Sequence, residues 1–86
     1  MSAVPANVEP FKTYERANDA KLMIESLSPR CREVLDGIVA GHTNKAIAYD
    51  LGISPRTVEV HRANMMRRLG ARHVAEAVRL ALQAAA

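Results

Sequence analysis

Between Thr43 and Arg62 the chain reads TNKAIAYDLGISPRTVEVHR, two helical segments separated by three residues. Thr43 is placed to cap the first, and Ile47 and Leu51 form its apolar pair, four residues apart. Gly52 follows as a left-handed stop. Ser54-Pro55 opens the second segment, with Ser as the capping residue and Pro at the first helical position, where its missing N–H is not needed. Helices joined this tightly cross at a steep angle, so the second stands out from the body of the domain.

The rest of the chain is punctuated in the same way. Ser28-Pro29 opens a helix in which Cys31, Val34, Leu35, Ile38 and Val39 recur at i, i+3, i+4, i+7 and i+8, and Gly41 ends it. The two segments of the turn motif are expected over 44–51 and 55–69, the second closed by Gly70. A further helix is expected from about His73 to about Ala84. No segment alternates as a strand would, so the expected fold is all-α, with four helices over residues 27–86. Residues 1–26 read as an N-terminal extension. Its first part, MSAVPANVEPFK, holds two prolines and no periodic pattern and is expected to be a flexible tail. Residues 13–26 are expected to be a short helix carrying Tyr14, Ala17, Leu22 and Ile24, serving as the end of a linker from an upstream domain or as an interaction arm, or else a loosely packed extension.

Composition narrows the functions open to such a fold. Eighty-six residues make one small domain, whose core is marginal without a partner surface. Residues 27–86 carry nine Lys or Arg against five Asp or Glu, whereas residues 1–26 carry three against four. The basic excess thus lies with the helix-turn-helix signal, as phosphate binding requires. With only Phe11, Tyr14 and Tyr49 as aromatics, the chain lacks the stacking platforms of single-strand binders. One cysteine, Cys31, builds neither a disulfide framework nor a thiolate metal site. His42, His61 and His73 share no ligand spacing, and no carboxylate pair sits beside them. No catalytic site, metal or cofactor is therefore expected, and the chain does not read as an enzyme. No apolar run approaches the roughly 20 residues of a membrane span, and no secretory leader follows Met1. A cytoplasmic, nucleoid-associated protein is the expectation.

At about 100° per residue, the helix over 55–69 divides into two faces. Val58, Met65 and Leu69 point inward, flanked by His61 and Arg62. Arg56, Glu59, Val60, Ala63, Asn64 and Arg67 point outward, which suits a helix lying in a DNA major groove. Arg56 and Arg67 near its two ends suit phosphates or guanine edges, and Val60 and Ala63 allow close approach and contact with a thymine methyl. Glu59 is the odd member. It either accepts from cytosine N4 or holds Arg56 or Arg62, each three residues away, in an ion pair. Thr43, Asn44 and Lys45 open the preceding helix, whose N-terminal amides suit a phosphate, and the Thr57 hydroxyl is placed similarly.

Four linked stretches resemble the LuxR-type helix-turn-helix domain, the output domain of FixJ- and NarL-like bacterial response regulators. They are LSPRCREVL at 27–35, AGHTNKAIAYDLGIS at 40–54, TVEVHRANMMRRLGA at 57–71 and AEAV at 75–78. The resemblance implies a four-helix domain that regulates transcription by binding double-stranded DNA. It implies base contacts from Glu59, Val60 and Ala63, and phosphate contacts from Asn44, Lys45, Arg56, Thr57 and Arg62. It also implies a dimer through the last helix, and for Glu33 a structural pairing with a basic residue in the core. The chain departs from the common pattern at Glu59, where many relatives carry Lys, at Cys31 and Ala46, where many carry acidic residues, and at Val74, where Arg is common. These departures bear on which DNA sequence is preferred.

The last helix is apolar around most of its circumference, with only Glu76, Arg79 and Gln83 forming a polar arc. One packing partner leaves part of that surface bare, so a twofold-related copy meeting along Val74, Val78 and Leu82 is expected. Cys31 reads as a small apolar filler and His61 as a packed residue. Two other readings compete. One is a sigma-factor region-four-like module. The other is an adaptor or anti-activator that pairs with another regulator, to which Glu59 and the acidic N-terminal segment lend support. RNA polymerase or a second regulator is the expected protein partner. A stand-alone regulator and a piece of a longer one both fit the chain.

Overall fold

In the computed structural model, residues 18–85 are described. They form five helical segments and no strand: α1 over residues 18–25, then α2 (Pro29–Val39), α3 (Asn44–Leu51), α4 (Pro55–Leu69) and α5 (Val74–Ala85). The expected tail over the first dozen residues, with Tyr14 and Ala17, lies outside the described residues.

Three helix starts are fixed by the same local chemistry. Ser28 Oγ accepts from the Cys31 N–H, Thr43 Oγ1 from the Ala46 N–H and Ser54 Oγ from the Thr57 N–H, at 3.3, 3.1 and 3.1 Å. Each satisfies one of the amides that a helix N-terminus leaves without an internal acceptor. The end of α3 closes on Gly52 at φ +69°. The Ile53 N–H then reaches back to the Ala48 carbonyl at 3.0 Å, and Ile53 packs over the core beside Ala48. A side chain at Gly52 would strain this left-handed turn, which sets the entry into α4. The start of α5 is held differently. Glu76, in its first turn, accepts from the Arg72 backbone N–H. That bond, helped by the charges of His73, Arg72 and Arg79, holds its carboxyl below the usual carboxylate range.

The core has two parts that share α2 and α4. Ile24, Leu27, Cys31, Leu35, Met65, Leu69 and Ala77 join α1, α2, α4 and α5. Val34, Ile47, Ala48 and Val58 join α2, α3 and α4. Val34 and Leu35 are neighbours in sequence, yet the helical turn sends them into different parts. Val58, Met65 and Leu69 are buried, as the inward face of α4 requires, and Cys31 is buried with them.

Three expectations need correction. Leu22 does not share a face with Ile24, because residues two apart on a helix point nearly opposite ways. Ile24 is buried with Ala20, and Leu22 is exposed. Val39 ends the α2 stripe at its margin and is 39% exposed. Glu33 does pair with a basic residue, Arg30 at 3.0 Å, but on the surface rather than in the core, with both side chains about half exposed. Such a pair contributes little to stability.

Helices α2 and α3 meet at Gly37. A Cβ placed there would stand 2.7 Å from Ile47 Cγ1 and 3.0 Å from its Cδ1. Gly37→Val is therefore expected to force the helices apart at a cost of about 1–3 kcal/mol. Thermal unfolding measures it, with a melting point about 4–8 °C lower for each kcal/mol. An unchanged melting point would mean that the two helices do not approach at this position.

Candidate nucleic-acid interface

The outward face of α4 is solvent-exposed throughout: Arg56, Glu59, Val60, Ala63, Asn64 and Arg67. Val60, at 53% exposure, is a large apolar side chain left in water beside the small Ala63. A cation stands at each end of this strip. Arg67 Nη2 donates to Asn64 Oδ1 at 3.1 Å, one turn back. At the other end, the Thr57 hydroxyl lies 2.9 Å from Ser54 Oγ, so it belongs to the capping arrangement of the α4 start.

The N-terminus of α3 opens beside this strip. The Thr43 hydroxyl is engaged in capping, whereas Lys45 is exposed. Asn44 and Arg62, each half-buried, meet across the helix pair: Arg62 Nη1 donates to Asn44 Oδ1 at 2.8 Å. Eighteen residues of sequence separate them, and no local pattern announces the contact. The fold alone brings these two expected phosphate-binding residues together. A second bond of this kind runs from Arg68 Nε to Ser26 Oγ at 3.3 Å, tying the last turn of α4 to the turn after α1.

Among the described residues, the Lys or Arg ion pair is Arg30 with Glu33, and His42 Nδ1 stands 4.0 Å from Asp50 Oδ2. Both lie away from α4. Lys45, Arg56, Arg62 and Arg67 thus have no described carboxylate within ion-pairing distance, and Glu59 has no described cation within it. The expected ion pair between Glu59 and Arg56 or Arg62 is not formed. The exposed face of α4 thus sets Val60 and Ala63 beside the carboxylate of Glu59, with Arg56 and Arg67 at its two ends.

On α5, Ala77, Leu80, Ala81 and Ala84 pack on the core. Val74, Val78 and Leu82 follow one another at a spacing of four, and Val74 and Val78 are half-buried. Leu82 is 58% exposed and lies beside Val39 at a groove between α1, α2 and α5. No helix among the described residues is long and apolar enough to cross a membrane.

The family model of the bacterial regulatory proteins of the luxR family matches residues 25–81. The transcriptional regulatory protein FixJ of Rhizobium meliloti is 56% identical over 66 residues, which cover 77% of this chain and 32% of that protein. FixJ of Azorhizobium caulinodans is 48% identical over 88 residues, covering 98% of this chain and 42% of that protein. Full-length FixJ from B. japonicum, in its crystal structure, superposes with a TM-score of 0.84 at 44% identity, over 98% of this chain and 41% of that one. The chain thus spans between 32% and 42% of the length of these relatives.

Proposed function

This chain belongs to the luxR family of bacterial regulatory proteins, and we propose that it binds a specific sequence of double-stranded DNA as a twofold dimer, with α4 in the major groove. It is a transcription-regulator output domain of the kind found in FixJ-like response regulators. The observation that carries the finer reading is the outward face of α4, where exposed Val60 and Ala63 sit between Arg56 and Arg67. A small apolar centre admits base edges, and cationic ends meet the phosphates on either wall.

In this reading Glu59, Val60 and Ala63 face bases. Asn44, Lys45, Arg56, Thr57, Arg62 and Arg67 contact the backbone, together with the N-terminus of α3 beyond Thr43. Residues 27–86 form the DNA-binding unit, and α1 of the N-terminal extension buttresses it through Ile24. The stripe of Val74, Val78 and Leu82 meets its twofold mate. Two half-sites then lie about one helical turn apart, on the order of 10 bp. Activity in the cytoplasm, on the nucleoid, follows from such a target.

The test is a selection of genomic DNA fragments bound by the purified protein, with Val60→Arg as the comparison. Val60 is half exposed, so the variant keeps its fold. One twofold-related motif, lost in the variant, is the expected result. Diffuse, salt-sensitive binding that is unchanged in the variant would overturn the reading in favour of a protein-binding adaptor.

A further inference from the structure

Resting on the major-groove reading, we propose that Glu59 makes the chain select a base that offers a hydrogen-bond donor, cytosine foremost, and that Asn44 is a positioning residue that keeps Arg62 from neutralising it. The juxtaposition behind this is specific. Glu59 is exposed on the face of α4 that carries Val60 and Ala63. Two arginines lie within helical reach of it, Arg56 three residues before and Arg62 three residues after. Neither is within ion-pairing distance, and Arg62 Nη1 instead donates to Asn44 Oδ1 at 2.8 Å.

A bare carboxylate between two phosphate walls is repelled unless something donates to it. The floor of the major groove offers only two donors, cytosine N4 and adenine N6. Guanine presents N7 and O6, and thymine presents O4, all acceptors that oppose a carboxylate. The adenine donor is flanked by acceptors on both sides, its own N7 and the paired thymine O4, whereas the cytosine donor has an acceptor on one side only, the paired guanine O6. The order of preference at the base facing Glu59 is therefore cytosine, then adenine, with guanine and thymine rejected. A well-made side-chain contact of this kind discriminates by about 10- to 100-fold.

The Asn44 amide makes that selection strict. With Arg62 paired to Glu59, the carboxylate would be largely neutralised and all four bases would be met more evenly. Asn44 lies in the first turn of α3, a different helix, and takes one guanidinium N–H as acceptor. It thus withdraws the arginine from the base-reading strip toward the backbone side. The arginine is also ordered before DNA arrives, which lowers the entropy lost on binding.

The experiment measures affinity by fluorescence anisotropy, using duplexes with each of the four bases at every half-site position of the selected motif. Wild-type protein is compared with Glu59→Ala, Glu59→Gln and Asn44→Ala. At one position the wild type is expected to prefer cytosine over guanine or thymine by about 10- to 100-fold. Glu59→Ala is expected to shrink that ratio to within about threefold, and Glu59→Gln to move the preference to adenine, whose N6 and N7 a carboxamide meets together. Asn44→Ala is expected to shrink the same ratio while Glu59 is still present. Base preferences unchanged at every position in Glu59→Ala would overturn the proposal. A uniform loss of affinity in Asn44→Ala, with the base ratio kept, would overturn the role of Asn44. A wild-type protein with no preferred sequence would overturn the major-groove reading itself, and is told apart by the absence of any motif.

Discussion

Leu35→Ala is expected to lose about 2–5 kcal/mol of folding stability, the range for deleting a fully buried leucine side chain. Leu35 is 1% exposed and stands where α1, α2, α4 and α5 meet, against Ile24, Leu27, Met65, Leu69 and Ala77. Removing three carbons there leaves a cavity that four helices share, and no one of them can close it alone. A chain of 86 residues has on the order of 4–13 kcal/mol in total, so this single change removes a large part of it. Thermal or urea unfolding followed by circular dichroism measures the loss. Leu35→Met, which nearly conserves volume, serves as the control and is expected to cost less than about 1.5 kcal/mol. A loss below about 1 kcal/mol for the alanine variant would mean that the junction of α1, α2, α4 and α5 holds without its central leucine.

The second large effect is expected at Val78, and it is one of assembly rather than folding. At about 100° per residue, Val74, Val78 and Leu82 run along the edge of the face that Ala77, Leu80, Ala81 and Ala84 turn to the core. In the proposed dimer, Val78→Glu places two like charges across the twofold axis in a desolvated seam. Wild-type protein is expected to sediment as a dimer, and the variant as a monomer with its melting point nearly kept. Affinity for an operator with two half-sites is expected to fall by roughly 10²- to 10⁴-fold, because the second half-site is no longer met at high effective concentration. Affinity for an isolated half-site is expected to stay within about threefold, since the face that meets the bases is untouched. A Val78→Glu protein that still sediments as a dimer would remove α5 from the interface.

Much of this architecture was legible in the residues because it is encoded locally. Ser28, Thr43 and Ser54 cap helices over a span of three residues, and Gly52 and Gly70 stop them within one turn. Periodicity alone separates Val58, Met65 and Leu69 from the exposed side of α4. What could not be read depends on contacts far apart in sequence, or on where a broad stripe ends. The bond of Arg62 to Asn44 and that of Arg68 to Ser26 join residues 18 and 42 positions apart, which no pattern links. Leu22 and Val39 are apolar, but burial depends on which side of the helix the neighbours occupy, and both lie on a margin or beyond it. Glu33 lies on the surface for a related reason. It stands about 200° around α2 from Cys31, on the far side from the core.

The division of α4 has a consequence for how a protein of this kind can change over generations. Its buried positions answer to the stability of the domain, and its exposed positions answer, in the proposed reading, to the DNA it recognises. These demands fall on different side chains of one rigid element. Mutation can therefore try new residues at positions 59, 60 and 63 with small effects on folding, and gene duplicates can diverge in target while inheriting an intact scaffold. The same separation makes α4 a natural place to reprogram recognition by exchanging three residues.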